Sequence, residues 1–255
     1  MRSMKKLLPD KKAVIVGGGG RIGSAVGRAF IRNGAELLLV DKDDSSLSAF
    51  VAGLAAEERT RCQSCRLEMA EEGRVEELAA AVRERLGGVD ILVNCTGYIH
   101  RAPFLDHSTV EMEKLMKLNF SVPFAVSQKI AAMMTEQGSG KIINFASVGG
   151  FRIEKEHSGY CAAKAALIML TRVMALELLP HHIQVNAVAP GPTETVPFST
   201  PYYTEHPEAL RAIEAVSGRI GHPGDHVGLV VFLASNQSDW ITGQVIACDG
   251  GFGLG

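Results

Sequence analysis

Seven short apolar runs rich in Val and Ile lie at 13–16, 36–40, 65–69, 91–94, 142–145, 183–187 and 245–248. Between them run longer stretches with helical periodicity, at 22–32, 75–86, 109–118, 124–136, 160–178 and 225–234. Strands that are apolar throughout are buried on both faces, and a parallel sheet between two helical layers buries them so. Right-handed crossovers then wind the sheet in both directions from its centre. The expectation is a single α/β domain over residues 1–255: a doubly wound parallel sheet of about seven strands with helices on both faces. No repeat, low-complexity tract or linker divides it. One long irregular stretch, 190–207, holds five prolines. With the residues up to 218 it is read as a substrate-binding loop or lid.

Directly after the first run the chain reads GGGGRIG, residues 17–23. Gly18, Gly20 and Gly23 satisfy G-x-G-x-x-G between a strand and a helix, the setting in which glycines let a backbone approach a pyrophosphate. The free N–H groups of the following helix favour the same anion. This is the Rossmann arrangement for a dinucleotide. Asp41, closing the second strand, suits the adenosine ribose hydroxyls and repels a 2′-phosphate, which favours NAD. Arg21 pulls the other way, since a guanidinium in this loop suits a 2′-phosphate and leaves NADP open. Lys42 is a second cation of that kind.

Composition narrows the function. Net charge is −2 and no basic stripe stands out, so no nucleic-acid partner is expected. The N-terminus has no apolar segment of signal-peptide length, and the most apolar helix is broken by Arg172 and Glu177. Neither membrane nor metal is expected. The five cysteines (62, 65, 95, 161 and 248) form no disulfide framework, and the Cys62-x-x-Cys65 pair lacks a second pair of ligands. Reduced thiols and a cytoplasmic location follow.

Two patterns carry chemistry. In SGYCAAKAAL, Tyr160 and Lys164 stand at i and i+4 on one helix face. An ammonium there is expected to lower the phenol, near ~10 when free, by about 1–3 units and make it a usable acid and base. In KIINFASVGG, Ser147 emerges at the carboxyl end of a buried strand, where open parallel sheets bind ligands.

With these segments in order, the chain resembles the short-chain dehydrogenases/reductases nearly end to end. The carrying motifs are the glycine segment, NCTG at 94–97, LNFSVPF with Asn119, Ser147, YCAAK at 160–164, APGPTET at 189–195 and ITGQVIACDGG at 242–251. The resemblance implies a catalytic tetrad of Asn119, Ser147, Tyr160 and Lys164. Tyr160 passes a proton to or from the substrate oxygen, and Ser147 polarises that oxygen. Lys164 holds the nicotinamide ribose, and Asn119 holds a water that links Lys164 to solvent. Around the cofactor the resemblance places Gly17, Gly20, Arg21, Ile22 and Gly23, then Asp41, Glu68 and Met69 near adenine, and Asn94 and Gly97 along the adenosine. Tyr160, Lys164, Pro190, Gly191, Thr193 and Thr195 fall on the nicotinamide side. Val16 stands in place of the usual Thr and Arg21 in place of the usual middle Gly.

The implied activity is NAD(P)-dependent hydride transfer between a secondary alcohol and a ketone, with NAD as cofactor, in a homotetramer acting on a small molecule. A 3-oxoacyl-carrier reductase using NADPH is the alternative enzyme, and a non-enzymatic NAD(P) sensor on the same fold the alternative class. Substrate contacts are expected from Ser147, Tyr98, His100, Arg152, His157, Phe198 and Tyr202, with Tyr203 beside them. The basic members of that set suit an anionic or polar substrate.

Overall fold

The computed structural model describes residues 6–195 and 204–254. Seven parallel strands form one sheet in the order β3-β2-β1-β4-β5-β6-β7. They are β1 (Lys12–Val16), β2 (Glu36–Asp41), β3 (Cys62–Arg66), β4 (Ile91–Asn94), β5 (Gly140–Phe145), β6 (Ile183–Pro190) and β7 (Val245–Cys248). The order reverses between β1 and β4, so a crevice opens beyond their carboxyl ends.

Alternation along each strand builds two cores. Val14, Leu38, Leu92, Ile142 and Val185 face one helical layer. Ala13, Ile15, Leu37, Leu39, Ile91 and Val93 face the other. The first layer contains α4 (Arg74–Leu86), α6 (Val122–Gln137) and α7 (Ser158–Leu178); the second contains α1 (Arg21–Arg32) and α2 (Asp44–Ala52). A helix over Val227–Ala234 completes the second, with Val230, Val231 and Leu233 turned inward. Both sides of the sheet are thus dry, which is why the strands read as unbroken apolar runs.

The third strand lies three residues ahead of the expected 65–69. It is a partly exposed edge strand, and the apolar signal came from Leu67 and Met69, which are buried beyond its end. Three helices fall where none was expected: α2, the single turn α3 (Ala56–Arg59) and one at Pro207–Ser217. In α2, Asp43 caps the N-terminus by accepting from the Ser45 N–H, but only Leu47 and Phe50 point inward, too few for a clear period. The helix at Pro207–Ser217 has one buried residue, Ile213, which packs with Val148 and Phe252. A single π turn at Lys117–Ser121 separates α5 (Thr109–Met116) from α6. No described helix is long and apolar enough to cross a membrane.

Candidate active site

The loop between β1 and α1 is fixed before any ligand is considered. The N–H groups of Gly17 and Gly18 both donate to the Val40 carbonyl at 2.9 Å. The Gly19 N–H donates to Asp41 Oδ2 at 2.9 Å, and the Asp43 N–H to Asp41 Oδ1 at 3.2 Å. Asp41 therefore braces the glycine loop, and an ionised carboxylate keeps acceptor capacity for more donors. Gly17 has φ +81°, and a Cβ there would sit 2.7 Å from the Cys95 carbonyl carbon. On Gly23 a Cβ would collide with the Gly17 carbonyl. Helix α1 starts after Gly20 with no side-chain cap, leaving its first amides to face the cleft.

That cleft runs from Gly17, Gly20, Arg21, Ile22 and Gly23, past Cys95 to Tyr98, to Ser147, Tyr160 and Lys164, and on to Pro190–Thr193 and Thr195. On its wall Thr96 Oγ1 is buried with no protein partner. A bare-glycine cradle, an uncapped helix start and an orphaned hydroxyl are what a dinucleotide would fill, so the residues present fit that group.

Four side chains named from sequence converge at the centre. Lys164 is buried and donates to the Phe145 carbonyl at 2.8 Å, at the end of β5. Its Nζ lies 5.7 Å from the Tyr160 ring centre. Asn119 Oδ1 and Lys164 Nζ stand 3.3 and 3.8 Å from where a Cβ on Gly97 would be. The Asn119 amide is held by backbone: Nδ2 donates to the Tyr98 and Leu115 carbonyls, and Oδ1 accepts from the Tyr98 N–H. Ser147 Oγ accepts from the Gly149 N–H at 3.1 Å.

The electrostatics correct one expectation. Burial pushes the Tyr160 phenol up to about 12, while a Ser147 hydrogen bond pulls it down and the Glu154 charge pushes it further up. Burial brings Lys164 down to about 8. In the protein alone, desolvation rather than the Lys164 ammonium sets the direction for Tyr160, which was expected to be lowered.

The lysine shift predicts a pH-dependent stability. The folded state holds fewer protons at Lys164 than the unfolded chain between about pH 8 and 10.5. Stability should therefore rise with pH across that window relative to Lys164→Met, by up to about 3 kcal/mol. Urea melts of both proteins from pH 7 to 11 check this; parallel curves would refute it.

Other residues expected at the site have protein partners of their own. Asn94 is buried in the core, where Nδ2 donates to Ser127 Oγ at 2.9 Å and to Asn144 Oδ1 at 2.8 Å, and Asn144 Nδ2 continues to Thr171 Oγ1. Met69 is core, and Glu68 pairs with Lys42 at 3.5 Å. Thr193 turns its hydroxyl to the Gly191 carbonyl and to His226 Nε2. Of the expected substrate residues, Tyr98 lines the cleft and donates to Glu111 Oε2. His100 packs edge-on against His107, 4.0 Å from Glu111. Arg152 stacks on the Phe252 ring at 4.1 Å and lines a neighbouring groove. His157 is buried, edge-on to Tyr160, and burial lowers its pKa. Phe198, Tyr202 and Tyr203 lie outside the described residues.

Sequence reasoning missed Glu154, Arg101, Thr96 and Glu194. The first three line the cleft. Glu194 pairs with Arg21 at 3.4 Å, joining the glycine loop to the loop after β6. No local period marks any of them. Among the described residues, no group of three or more His, Cys, Asp or Glu side chains gathers to hold a metal ion.

Comparison with known proteins bears on this arrangement. The family model described as enoyl-(acyl carrier protein) reductase matches residues 19–253. Galactitol 2-dehydrogenase of Agrobacterium fabrum is 34% identical over 96% of this chain and 98% of its own. Sorbitol dehydrogenase of Cereibacter sphaeroides is 32% identical over 96% of this chain and 98% of its own. The crystal structure of a short-chain type dehydrogenase/reductase from Mycobacterium marinum superposes with a TM-score of 0.89 at 31% identity, covering 97% of each chain.

Proposed function

Because the chain belongs to the short-chain dehydrogenase/reductase family, and is an NAD(P)-dependent oxidoreductase acting on a CH–OH group and its ketone, we propose that Ser147, Tyr160 and Lys164 are its reacting centre and NAD its cofactor. The observation that carries this reading is the convergence of those three side chains at the end of β5, in the same cleft as the glycine cradle. When bound, the nicotinamide ring supplies or accepts the hydride. Tyr160 gives a proton to the carbonyl oxygen in reduction and takes it from the hydroxyl in oxidation. Ser147 donates a hydrogen bond to the same oxygen. Lys164 holds the nicotinamide ribose hydroxyls. Asn119, with its amide committed to the Tyr98 and Leu115 backbone, fixes the π turn beside Lys164 and so positions it.

The preference for NAD is supported by how the nearby charges are committed. Arg21 is paired with Glu194 and Lys42 with Glu68, so both candidate partners of a 2′-phosphate already face carboxylates. Asp41 stands at the end of β2 with its carboxylate on the loop. Fluorescence titration with NADH and NADPH in parallel tests this. NADH should bind more tightly, Asp41→Ala should erode the preference, and Glu194→Gln should raise NADPH affinity by releasing Arg21, by up to about fivefold for an exposed pair. Tighter NADPH binding by the unaltered protein would overturn the NAD assignment.

The same reading takes the enzyme as a cytoplasmic homotetramer with 190–218 as a lid over its small-molecule substrate. Helix α7 supports association: Met169, Val173 and Leu176, at i, i+4 and i+7, are exposed on one face. Light scattering of the purified protein reads the state directly.

A further inference from the structure

The loop from Ser147 to Tyr160 was expected to present basic side chains to the substrate. Instead Arg152 stacks on Phe252, and His157 is 3% exposed with Nδ1 2.8 Å from the Lys155 carbonyl oxygen. The charged side chain this loop turns to the cleft is Glu154. It stands in the wall between the cleft and a neighbouring groove of about 800 Å³ lined by Pro103, Phe151 and Ile153. Glu154 Oε1 and Ser147 Oγ lie 3.6 and 3.5 Å from the point where a side chain on Gly149 would begin, so they share one corner of the cleft. Glu154 Oε2 is 3.8 Å from His157 Nδ1, too long for a hydrogen bond. The carboxylate therefore keeps acceptors for a donor in the cleft.

We propose that Glu154 determines specificity by accepting a hydrogen bond from a hydroxyl beside the reacting carbon, so that the enzyme takes neutral polyols and their hydroxyketones and rejects 2-hydroxy acids. The inference rests on Ser147 and Tyr160 meeting the reacting oxygen. An ionised carboxylate is an acceptor only, and its hydrogen bonds are charge-assisted. A hydroxyl on the next carbon satisfies it, whereas a substrate carboxylate there brings two like charges together in a partly desolvated corner. Arg101 and Lys164 also line the cleft, and His157 and Cys161 border the corner that holds Glu154. Of Glu154 and Arg101, it is Glu154 whose charge reaches the Tyr160 phenol.

The test uses the full-length enzyme and Glu154→Gln, with glycerol and galactitol as polyols and lactate and glycerate as 2-hydroxy acids. The unaltered enzyme should favour the polyols at least tenfold in kcat/KM. In the variant, polyol kcat/KM should fall roughly ten- to hundredfold, chiefly through KM, and the hydroxy acids should gain. The pH limb set by Tyr160 should move to lower pH, because a negative charge beside the phenol has gone; a merely structural role would not move it. NADH affinity should be unchanged, which also shows that the variant folds. A preference for lactate, or an unchanged substrate ratio in the variant, overturns the inference. Turnover of simple secondary alcohols without polyols overturns it while the assignment of Tyr160 stands. No turnover of any alcohol, with Tyr160→Phe equally inert, overturns both.

Discussion

Tyr160→Phe should abolish most turnover while leaving nucleotide binding where it was. The substitution removes one oxygen and keeps a ring that packs edge-on against His157. The glycine cradle and Lys164 are untouched, so NADH titration curves should superimpose. Turnover should drop by roughly a hundred- to ten-thousand-fold, the usual worth of a positioned acid or base. The pH behaviour should be asymmetric in the unaltered enzyme. With burial holding the phenol near 12, Tyr160 is protonated at neutral pH and ready to donate in ketone reduction. Alcohol oxidation needs the phenolate and should gain rate as pH rises. A protein that only senses the nucleotide would lose nothing in Tyr160→Phe, and that result would sink the catalytic assignment.

A second large effect is expected at the other end of the cleft. Gly17→Ala forces a Cβ to within 2.7 Å of the Cys95 and Thr96 backbone, at φ +81°. The loop cannot step aside, because the Gly17 and Gly18 amides are both tied to Val40. Left-handed strain and a backbone collision together should cost about 2–4 kcal/mol of stability, read by urea denaturation, and more than tenfold in NADH affinity. Gly20→Ala is the control. A Cβ there comes no closer than 3.4 Å to the Gly17 carbonyl, and Gly20 has φ −65°. It should fold with nearly normal stability yet still weaken nucleotide binding, because the new methyl faces the cleft. Equal loss of stability in both variants would show that crowding of the backbone is not what Gly17 avoids.

What could be read in advance divides along a physical line. Strands buried on both faces announce themselves by composition, so six of the seven begin within two residues of their expected starts. β3 did not, because an edge strand needs no apolar run and its neighbours Leu67 and Met69 supplied a misleading one. Tyr160 and Lys164 were legible because helical spacing alone sets them side by side. Glu154 was not legible at all, since the loop that carries it has no period from which its direction could be taken. The Arg21–Glu194 pair joins residues far apart in sequence, and nothing local to either one signals the other. That contact bears directly on the choice between the two nucleotides.

Asn94, Ser127, Asn144 and Thr171 run as a polar thread through a mostly apolar core. Apolar side chains would fill the same space, but they would let neighbouring elements settle in more than one register. A hydrogen bond tolerates no such slack. Asn144 lies on β5 three residues before Ser147, which follows the end of that strand, and Thr171 lies two helical turns beyond Lys164. The bond between them ties the element that presents the serine to the helix that presents the tyrosine and lysine. The reacting groups are thus aligned from behind, by an anchor that never meets solvent or substrate. The cleft can vary its rim from one substrate to another without disturbing the alignment underneath.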